Sequence, residues 1–238
     1  MTKEEFINYC RELGVNITDE LYIMLNKYYE LLVEWNKKFN MTSILDKKQV
    51  FLLHFYDSIC LNKVIDLNKE CSLCDFGTGA GFPGMVIAIL FNKVNVTLIE
   101  SNQKKCKFLE YIKKEFNLKN VNVICSRIEV FGVENREIFD YVTCRAVTSL
   151  PIIIELSTST LKVNGYLAPL KADCSDEIEK FKLSELLKNF NLELIKVNNY
   201  NLPIQNANRM IPLFKKTAIT SKKYPSNYST IVKKYKKK

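Results

Sequence analysis

The sequence predicts an α/β fold, with a mostly parallel β-sheet, helices on both of its faces, and a helical extension before it. From residue 71 onward, short apolar and β-branched runs alternate with longer runs of helical length, which is typical of a parallel sheet covered by helices. Before residue 71, apolar residues recur at helical spacing. We therefore divide the chain into an N-terminal helical extension (1–69), an α/β domain (70–214) and a basic C-terminal tail (215–238).

The helical extension is predicted to contain two capped helices. Thr18 can cap a helix that begins at Asp19. The acidic first turn of this helix, Asp19-Glu20, interacts favourably with the positive end of the helix dipole. Asp46 can cap a second helix, on which His54 and Asp57 lie three residues apart on one face. The first helix carries an apolar stripe that indicates a core-facing side rather than a binding face. The stripe consists of Leu21, Met24, Leu25, Tyr28, Leu32 and Trp35.

The domain is predicted to contain five strands in α/β alternation and a closing hairpin. The five strand-like runs are residues 72–76, 95–99, 121–125, 139–144 and 166–170. Segments 101–116 and 150–161 have helical length and periodicity. Residues 192–197 and 209–214 predict a β-hairpin that adds an antiparallel strand. In a sheet of this kind, ligands bind outside the carboxyl ends of the parallel strands.

The charge of the chain is concentrated in the tail. The net charge is +9, and residues 215–238 hold nine of the 35 basic residues and none of the 26 acidic ones, so the first 214 residues are neutral. Tyr224, Tyr228 and Tyr235 are interleaved with these lysines. Such a tail can bind phosphates and stack on bases, or it can be a solvated, disordered end. Both interpretations stay open at this point.

Composition excludes several classes of protein. No run of 18 apolar residues is present, so no membrane span is predicted. The acidic first five residues do not fit a signal peptide, and we expect a cytoplasmic protein with reduced cysteines. Cys71 and Cys74 form a single CxxC pair, and the only histidine is His54. A zinc site would need a second pair of ligands, so we predict no metal.

The segment from Asp75 to Gly84 carries the strongest functional signal. It reads Asp-Phe-Gly-Thr-Gly-Ala-Gly-Phe-Pro-Gly between a strand and a helix. Glycines let a backbone turn tightly and approach a ligand, so the segment predicts a nucleotide-cofactor site. Its Gly-x-Gly-x-x-Gly part also fits dinucleotides. The carboxylate of Asp75 favours S-adenosylmethionine, because it would attract the ammonium and the sulfonium of that cofactor. The same carboxylate would repel the pyrophosphate of a dinucleotide.

Two further strand ends are expected to complete the cofactor site. Glu100 ends the second strand, where a carboxylate can accept both ribose hydroxyls. An N-cap for the following helix is the alternative role for Glu100. The third strand leads into Ile128 and Glu129, where an adenine would lie against an apolar wall.

Arg145 follows the fourth strand. The Asn/Asp-Pro-Pro-aromatic string of exocyclic-amine methyltransferases is absent there, and Cys144 lacks the Pro-Cys setting of enzymes that methylate pyrimidine C5. Arg145 can contact the carboxylate of the cofactor, or it can hold a base or a phosphate. A structural ion pair is the third interpretation.

The chain resembles the glucose-inhibited division protein B family, the small-subunit ribosomal RNA methyltransferase G enzymes. The likeness runs from about Leu21 to Phe214, and the Gly-Phe-Pro-Gly and His-x-x-Asp-Ser strings are its specific parts. The matching pieces are Trp35-Asn36, Asn40-Met41-Thr42-Ser43, His54-Phe55-Tyr56-Asp57-Ser58, the segment 75–84, Ser126-Arg127-Ile128-Glu129, Arg145-Ala146, Leu170-Lys171 and Arg209. Ala172 stands where the family usually has glycine, and the tail lacks the family's arginine and glycine after Tyr224-Pro225.

The resemblance implies a Rossmann-like class I methyltransferase that transfers a methyl from S-adenosylmethionine to N7 of a guanine in the 530 loop of 16S rRNA. The implied partner is 16S rRNA or the small ribosomal subunit, with no membrane and no metal, and we expect a monomer. By resemblance, Lys171 and Arg209 lie on the RNA side. The complete set of predicted cofactor residues, from the motifs and the resemblance together, is Asp75, Gly77, Gly79, Phe82, Glu100, Ile128, Glu129 and Arg145.

The implied reaction needs no general base. Guanine N7 carries an in-plane lone pair and no proton at neutral pH, so it can attack the methyl directly, and catalysis consists of positioning. We expect Arg145 or Arg209 to hold guanine O6 or a flanking phosphate, and His54 with Asp57 to fix the extension against the domain. The alternatives are a methyltransferase of another RNA or of a protein, a dinucleotide oxidoreductase, and an RNA-binding protein with an inactive cofactor site.

Overall fold

A seven-stranded sheet forms the centre of the computed structural model, which describes residues 1–180 and 183–236. The strands are β1 (Cys71–Phe76), β2 (Val94–Glu100), β3 (Val121–Cys125), β4 (Phe139–Thr143), β5 (Leu161–Leu167), β6 (Leu192–Leu202) and β7 (Ala207–Lys216). Their order is β3-β2-β1-β4-β5-β7-β6; β1 to β5 run parallel, and β7 is antiparallel to β5 and β6. The predicted mostly parallel sheet with a closing hairpin is therefore confirmed.

Helices cover both faces of the sheet. The extension holds α1 (Lys3–Glu12), α2 (Asp19–Asn36), α3 (Lys47–Val50) and α4 (Asp57–Ile59), with a π-helical turn at Phe51–Tyr56 between the last two. The rest of the chain holds α5 (Gly84–Leu90), α6 (Gln103–Glu115), α7 (Ile128–Glu134), α8 (Leu150–Ser157), α9 (Ser175–Lys180), α10 (Leu183–Asn189) and α11 (Tyr228–Lys236). Among the helices of the described part of the chain, none is long and apolar enough to cross a membrane.

The caps predicted for the extension are present. The Thr18 side chain accepts from the backbone N–H of Leu21 at the start of α2, and Asp46 accepts from Gln49 at the start of α3. The apolar stripe of α2 faces the core, where Leu25, Tyr28 and Leu32 are fully buried. Helix packing thus joins the extension to the domain.

One predicted strand was misplaced. We expected a helix to residue 161 and a strand at residues 166–170, whereas the helix ends at Ser157 and β5 begins at Leu161. Asn164 adopts a left-handed φ of 67°, and the β4–β5 register shifts beside it. Asn164 and Gly165 interrupt the strand signal of β5, so pairing with β4 decides where the strand begins.

The C-terminal segment packs against the domain over its described residues, up to 236. Lys216 is fully buried, and its ammonium donates to the carbonyls of Thr158 (3.0 Å) and Leu161 (2.7 Å). Helix α11 lies on α8, where Lys234 contacts the buried carboxylate of Glu155 at 2.8 Å. Because tertiary contacts hold this segment, it is not a disordered end, which was one of the two interpretations of the tail. The division at residue 214 remains an interpretation of the sequence.

Candidate active site

A glycine loop joins β1 to α5 at the switch point of the sheet. The strand order reverses between β1 and β4, and in such sheets the crevice at this point is the usual ligand site. Gly77, Gly79 and Gly81 adopt φ values of 63°, 62° and 101°. These are left-handed conformations that side chains rarely adopt, which explains why the segment is built from glycine.

Asp75 lies under this loop and is fully buried. Its Oδ2 accepts from the Thr78 hydroxyl (2.5 Å) and from the Gly84 backbone N–H (2.7 Å). Its Oδ1 has no hydrogen-bond partner among the described residues. Burial raises the pKa of Asp75 to about 7. The carboxylate therefore ties the loop to the start of α5 and keeps one oxygen for a further partner.

Glu100 joins the end of β2 to the same loop. Its Oε2 accepts from the Gly79 N–H at 2.9 Å, and its Oε1 accepts from the Asn102 N–H at 2.8 Å. The N-cap of α6 is Asn102, so capping is not the role of Glu100. At the end of β3, Ile128 and Glu129 begin α7 and are both buried. The predicted cofactor residues of β1, β2 and β3 thus meet at one edge of the sheet.

Asp57 organises a second cluster of side chains beside the loop. It is 3 % exposed. Its Oδ2 accepts from Arg145 at 3.0 Å, and its Oδ1 accepts from the Tyr200 hydroxyl at 2.8 Å. The Arg209 guanidinium lies 3.7 Å from the same Oδ1. One carboxylate therefore holds two arginines that come from different parts of the chain.

His54 links this cluster to the glycine loop. Its ring stacks on Phe82 at a centroid distance of 4.4 Å, and the guanidinium of Arg145 lies 5.3 Å from the centre of the Phe82 ring. Burial, and then the charge of Arg145, lower the pKa of His54 to about 3. We infer from the network that Nδ1 accepts from Arg145 and that Nε2–H donates to Thr42, each at 3.0 Å. The predicted role of His54 and Asp57 in holding the extension against the domain is confirmed by these contacts.

The cluster opens into a cleft of about 430 Å³, which we call the arginine cleft. It is lined by Ile44, Leu53, His54, Asp57, Arg145, Ala146, Leu170, Lys171, Ala172, Asp173 and Arg209. Lys171 is held by Glu177 (2.8 Å) and by the Thr148 carbonyl (2.9 Å). The three cations predicted for substrate or cofactor, Arg145, Lys171 and Arg209, therefore share one cleft.

Two contributors were missed in the sequence. The Tyr28 hydroxyl, on the apolar stripe of α2, donates to the Ala80 carbonyl and so supports the glycine loop from below. Tyr200 orients Asp57: burial, and then the charge of Asp57, raise the pKa of Tyr200, so its hydroxyl stays protonated and donates a hydrogen bond to that carboxylate. Tyr28 was treated only as a core residue, and Tyr200 lies in a strand without a motif.

Titration of His54 and Asp75 is expected to affect stability in opposite directions. Below pH 6.5 the unfolded chain protonates His54, whereas the folded chain does so only near pH 3, so stability rises with pH between these values. For Asp75, the unfolded chain loses its proton near pH 4 and the folded chain near pH 7, so stability falls as pH rises between these values.

Urea unfolding between pH 4.5 and 6.5 measures both effects. Relative to the unmodified protein, His54→Gln is expected to make the slope of unfolding free energy against pH more negative by about 1.4 kcal/mol per pH unit. Asp75→Asn is expected to make it more positive by about the same amount. Each variant serves as the control for the other, and two unchanged slopes would contradict both assignments.

Solved structures with this fold include several methyltransferases. A SAM-dependent methyltransferase of Aquifex aeolicus matches with a TM-score of 0.52 and 18% identity, over 72% of this chain and 94% of that one. A 16S rRNA (adenine(1408)-N(1))-methyltransferase of Catenulisporales acidiphilia matches with a TM-score of 0.54 and 11% identity, over 65% of this chain and 88% of that one. The fold is that of the Rossmann-like, S-adenosylmethionine-dependent class I methyltransferases.

Sequence comparison is more specific. A sequence model of the GidB family, rRNA small subunit methyltransferase G, matches residues 22–208. The Ribosomal RNA small subunit methyltransferase G of Bacillus velezensis is 41% identical over 232 residues, and that of Bacillus subtilis is 38% identical over 232 residues, each over 97% of both chains. The chain belongs to the rRNA small subunit methyltransferase G family. The predicted family and fold class are thereby confirmed.

Proposed function

We propose that the protein methylates N7 of one guanine in the 530 loop of 16S rRNA, guanine 527 of that RNA, with S-adenosylmethionine as the methyl donor. The observation that carries the proposal is the arginine cleft, in which Arg145, Lys171 and Arg209 gather beside the glycine loop. Stacking of His54 on Phe82 joins the cleft to that loop. Guanidinium groups are well suited to bind phosphates and the O6 edge of guanine.

The residues at the glycine loop fit S-adenosylmethionine. The buried Oδ1 of Asp75 lacks a partner among the described residues and can attract a cation. A Cβ added at Gly79 would have only the Lys105 ammonium within 4 Å, at 3.9 Å, so the space beside this glycine is open. Bound S-adenosylmethionine supplies a methyl group on a sulfonium. We propose that Asp75, Gly77, Gly79, Phe82, Glu100, Ile128, Glu129 and Arg145 hold it.

The residues of the arginine cleft act by positioning. Guanine N7 has no proton at neutral pH, so no side chain has to remove one. His54 is buried, and both of its ring nitrogens have partners, which fits a role in holding Arg145 rather than in proton transfer. Asp57 and Tyr200 fix the orientation of the two arginines, and this preorganisation lowers the entropic cost of placing the base. The base has to leave its stack to enter the cleft.

Methyl transfer from labelled S-adenosylmethionine to small ribosomal subunits, and to 16S rRNA lacking the modification, tests the proposal. We expect one labelled guanine in the 530 loop, mapped by cleavage at 7-methylguanosine. Labelling of a different RNA or of a protein would favour the alternative substrate. Comparison of the small ribosomal subunit with naked 16S rRNA will show whether naked rRNA suffices as the substrate. We also propose that the protein works in the cytoplasm as a monomer.

Arg209→Ala is expected to lower kcat/KM for methyl transfer about 10–100-fold, because a charge-assisted hydrogen bond contributes about 1.5–3 kcal/mol. Steady-state kinetics with the unmodified small subunit checks this expectation. Arg11→Ala, which removes an exposed guanidinium bonded to Asn8, is the control and should leave kcat/KM unchanged. Undiminished methylation by Arg209→Ala at limiting and at saturating RNA would exclude Arg209 from the site.

A further inference from the structure

A second cleft lies between the end of α2 and the start of α6. It has a volume of about 340 Å³, and we call it the lysine cleft. It is lined by Asn36, Lys37, Lys38, Phe39, Asn40, Met41, Asn102, Lys104 and Lys105. Four of these residues are basic and none is acidic. A concave surface of one charge concentrates its field and attracts ligands of the opposite charge.

The lysines of this cleft are not neutralised by the protein. Lys37, Lys38 and Lys105 form no ion pair with any residue in the ranges 1–180 and 183–236. In the arginine cleft, by contrast, Lys171 is paired with Glu177. The charge of the lysine cleft is thus available to a partner.

The turn that presents Lys37 and Lys38 is held in place. The side-chain Oδ1 of Asn36 accepts from the backbone N–H groups of Met41 (2.7 Å) and Thr42 (3.0 Å). Trp35 packs on Phe39 at 5.9 Å, and the Lys104 ammonium lies 5.3 Å from the centre of the Phe39 ring. A fixed turn presents its charges without first having to be ordered, which favours binding.

The lysine cleft lies next to the proposed reaction site. On one side, the Lys105 ammonium lies 3.9 Å from the position of a Cβ added at Gly79. On the other side, the same turn continues to Thr42, which bonds His54 at 3.0 Å, and to Ile44, which lines the arginine cleft. A chain of phosphates that enters the arginine cleft can therefore extend along this turn to the lysines.

We propose that the lysine cleft binds the ribose-phosphate backbone of the RNA next to the methylated guanine. Lysines neutralise phosphates and release counterions, and the asparagines can bond sugar and phosphate oxygens. The exposed part of Phe39 offers a face for stacking. This inference rests on the proposed function, because it takes the RNA substrate as the partner.

Lys37→Gln combined with Lys38→Gln tests the inference on the full-length protein. The probe is a fluorescently labelled, unmodified RNA of the 530 loop, and binding is followed by anisotropy between 50 and 300 mM salt. Loss of two single-strand phosphate contacts should reduce the slope of log affinity against log salt by about 1.4, which is about 25-fold weaker binding at 0.1 M salt. In methyl transfer, KM for RNA should rise and kcat should stay unchanged, because these lysines do not touch the reacting atoms.

Lys93→Gln combined with Lys119→Gln is the matched control. Lys93 and Lys119 are exposed and precede β2 and β3, at the amino ends of the strands and away from the clefts. This control should leave the salt slope and KM unchanged. An unaltered slope in the Lys37/Lys38 variant, while the unmodified protein binds and methylates the RNA, would overturn the inference alone. If the unmodified protein binds this RNA but methylates neither the RNA nor the small subunit, the proposed function is overturned, and the salt slope still tests whether the lysine cleft binds RNA.

Discussion

Asp57→Ala is expected to lower the free energy of unfolding by about 3–5 kcal/mol and to reduce methyl transfer to background. The substitution leaves Arg145, whose side chain is 14% exposed, without its carboxylate partner, and removal of one partner of a buried ion pair has an effect of this size. It also removes the acceptor of the Tyr200 hydroxyl and the anion beside Arg209. Urea denaturation and methyl transfer on the folded fraction measure the two effects.

Asp66→Ala is the control for this variant. Asp66 forms an ion pair of similar length with Lys69, at 3.0 Å, but its side chain is 48% exposed. Exposed pairs contribute about 0–1 kcal/mol, so the control should remain nearly as stable as the unmodified protein and fully active. If Asp57→Ala resembles Asp66→Ala in both assays, Asp57 does not organise the site.

Gly81→Ala is expected to abolish S-adenosylmethionine binding and to destabilise the fold by about 3 kcal/mol or more. Gly81 has a φ of 101°, and an added Cβ would lie 2.8 Å from the Met85 Cβ and against the Tyr28 hydroxyl. Backbone strain and a clash with packed neighbours therefore act together, and the loop above Asp75 has to move. Isothermal titration with the cofactor and thermal unfolding check the result.

Gly14→Ala separates the two contributions. Gly14 also has a left-handed φ, of 74°, but nothing lies within 4 Å of an added Cβ. It should therefore show only the backbone penalty, about 1–2 kcal/mol, with cofactor affinity unchanged. Equal losses in the two variants would mean that the contacts beneath the glycine loop contribute nothing.

Local signals in the sequence determined the α/β alternation, the caps of α2 and α3, and the glycine loop. Thr18 and Asp46 precede helices whose first turns need an acceptor, and this need is met within three residues. Gly77, Gly79 and Gly81 stand where the backbone takes a left-handed φ. Helix capping and the backbone conformation of glycine depend on residues that are close in the chain, so both can be recognised without the fold.

Contacts between distant parts of the chain were decided only by the tertiary structure. Asp57 meets Arg145 and Tyr200 across 88 and 143 positions of sequence, and no spacing rule connects them. Pairing with β4 determines the position of strand β5, and Lys216 and Lys234 of the C-terminal segment form ion pairs with Glu137 and Glu155. Residue types and spacing thus determined which fold and cofactor to expect. Packing of the helical extension on the sheet decided which charges are paired inside the site and which are not, because pairing and burial depend on distance in space rather than along the chain.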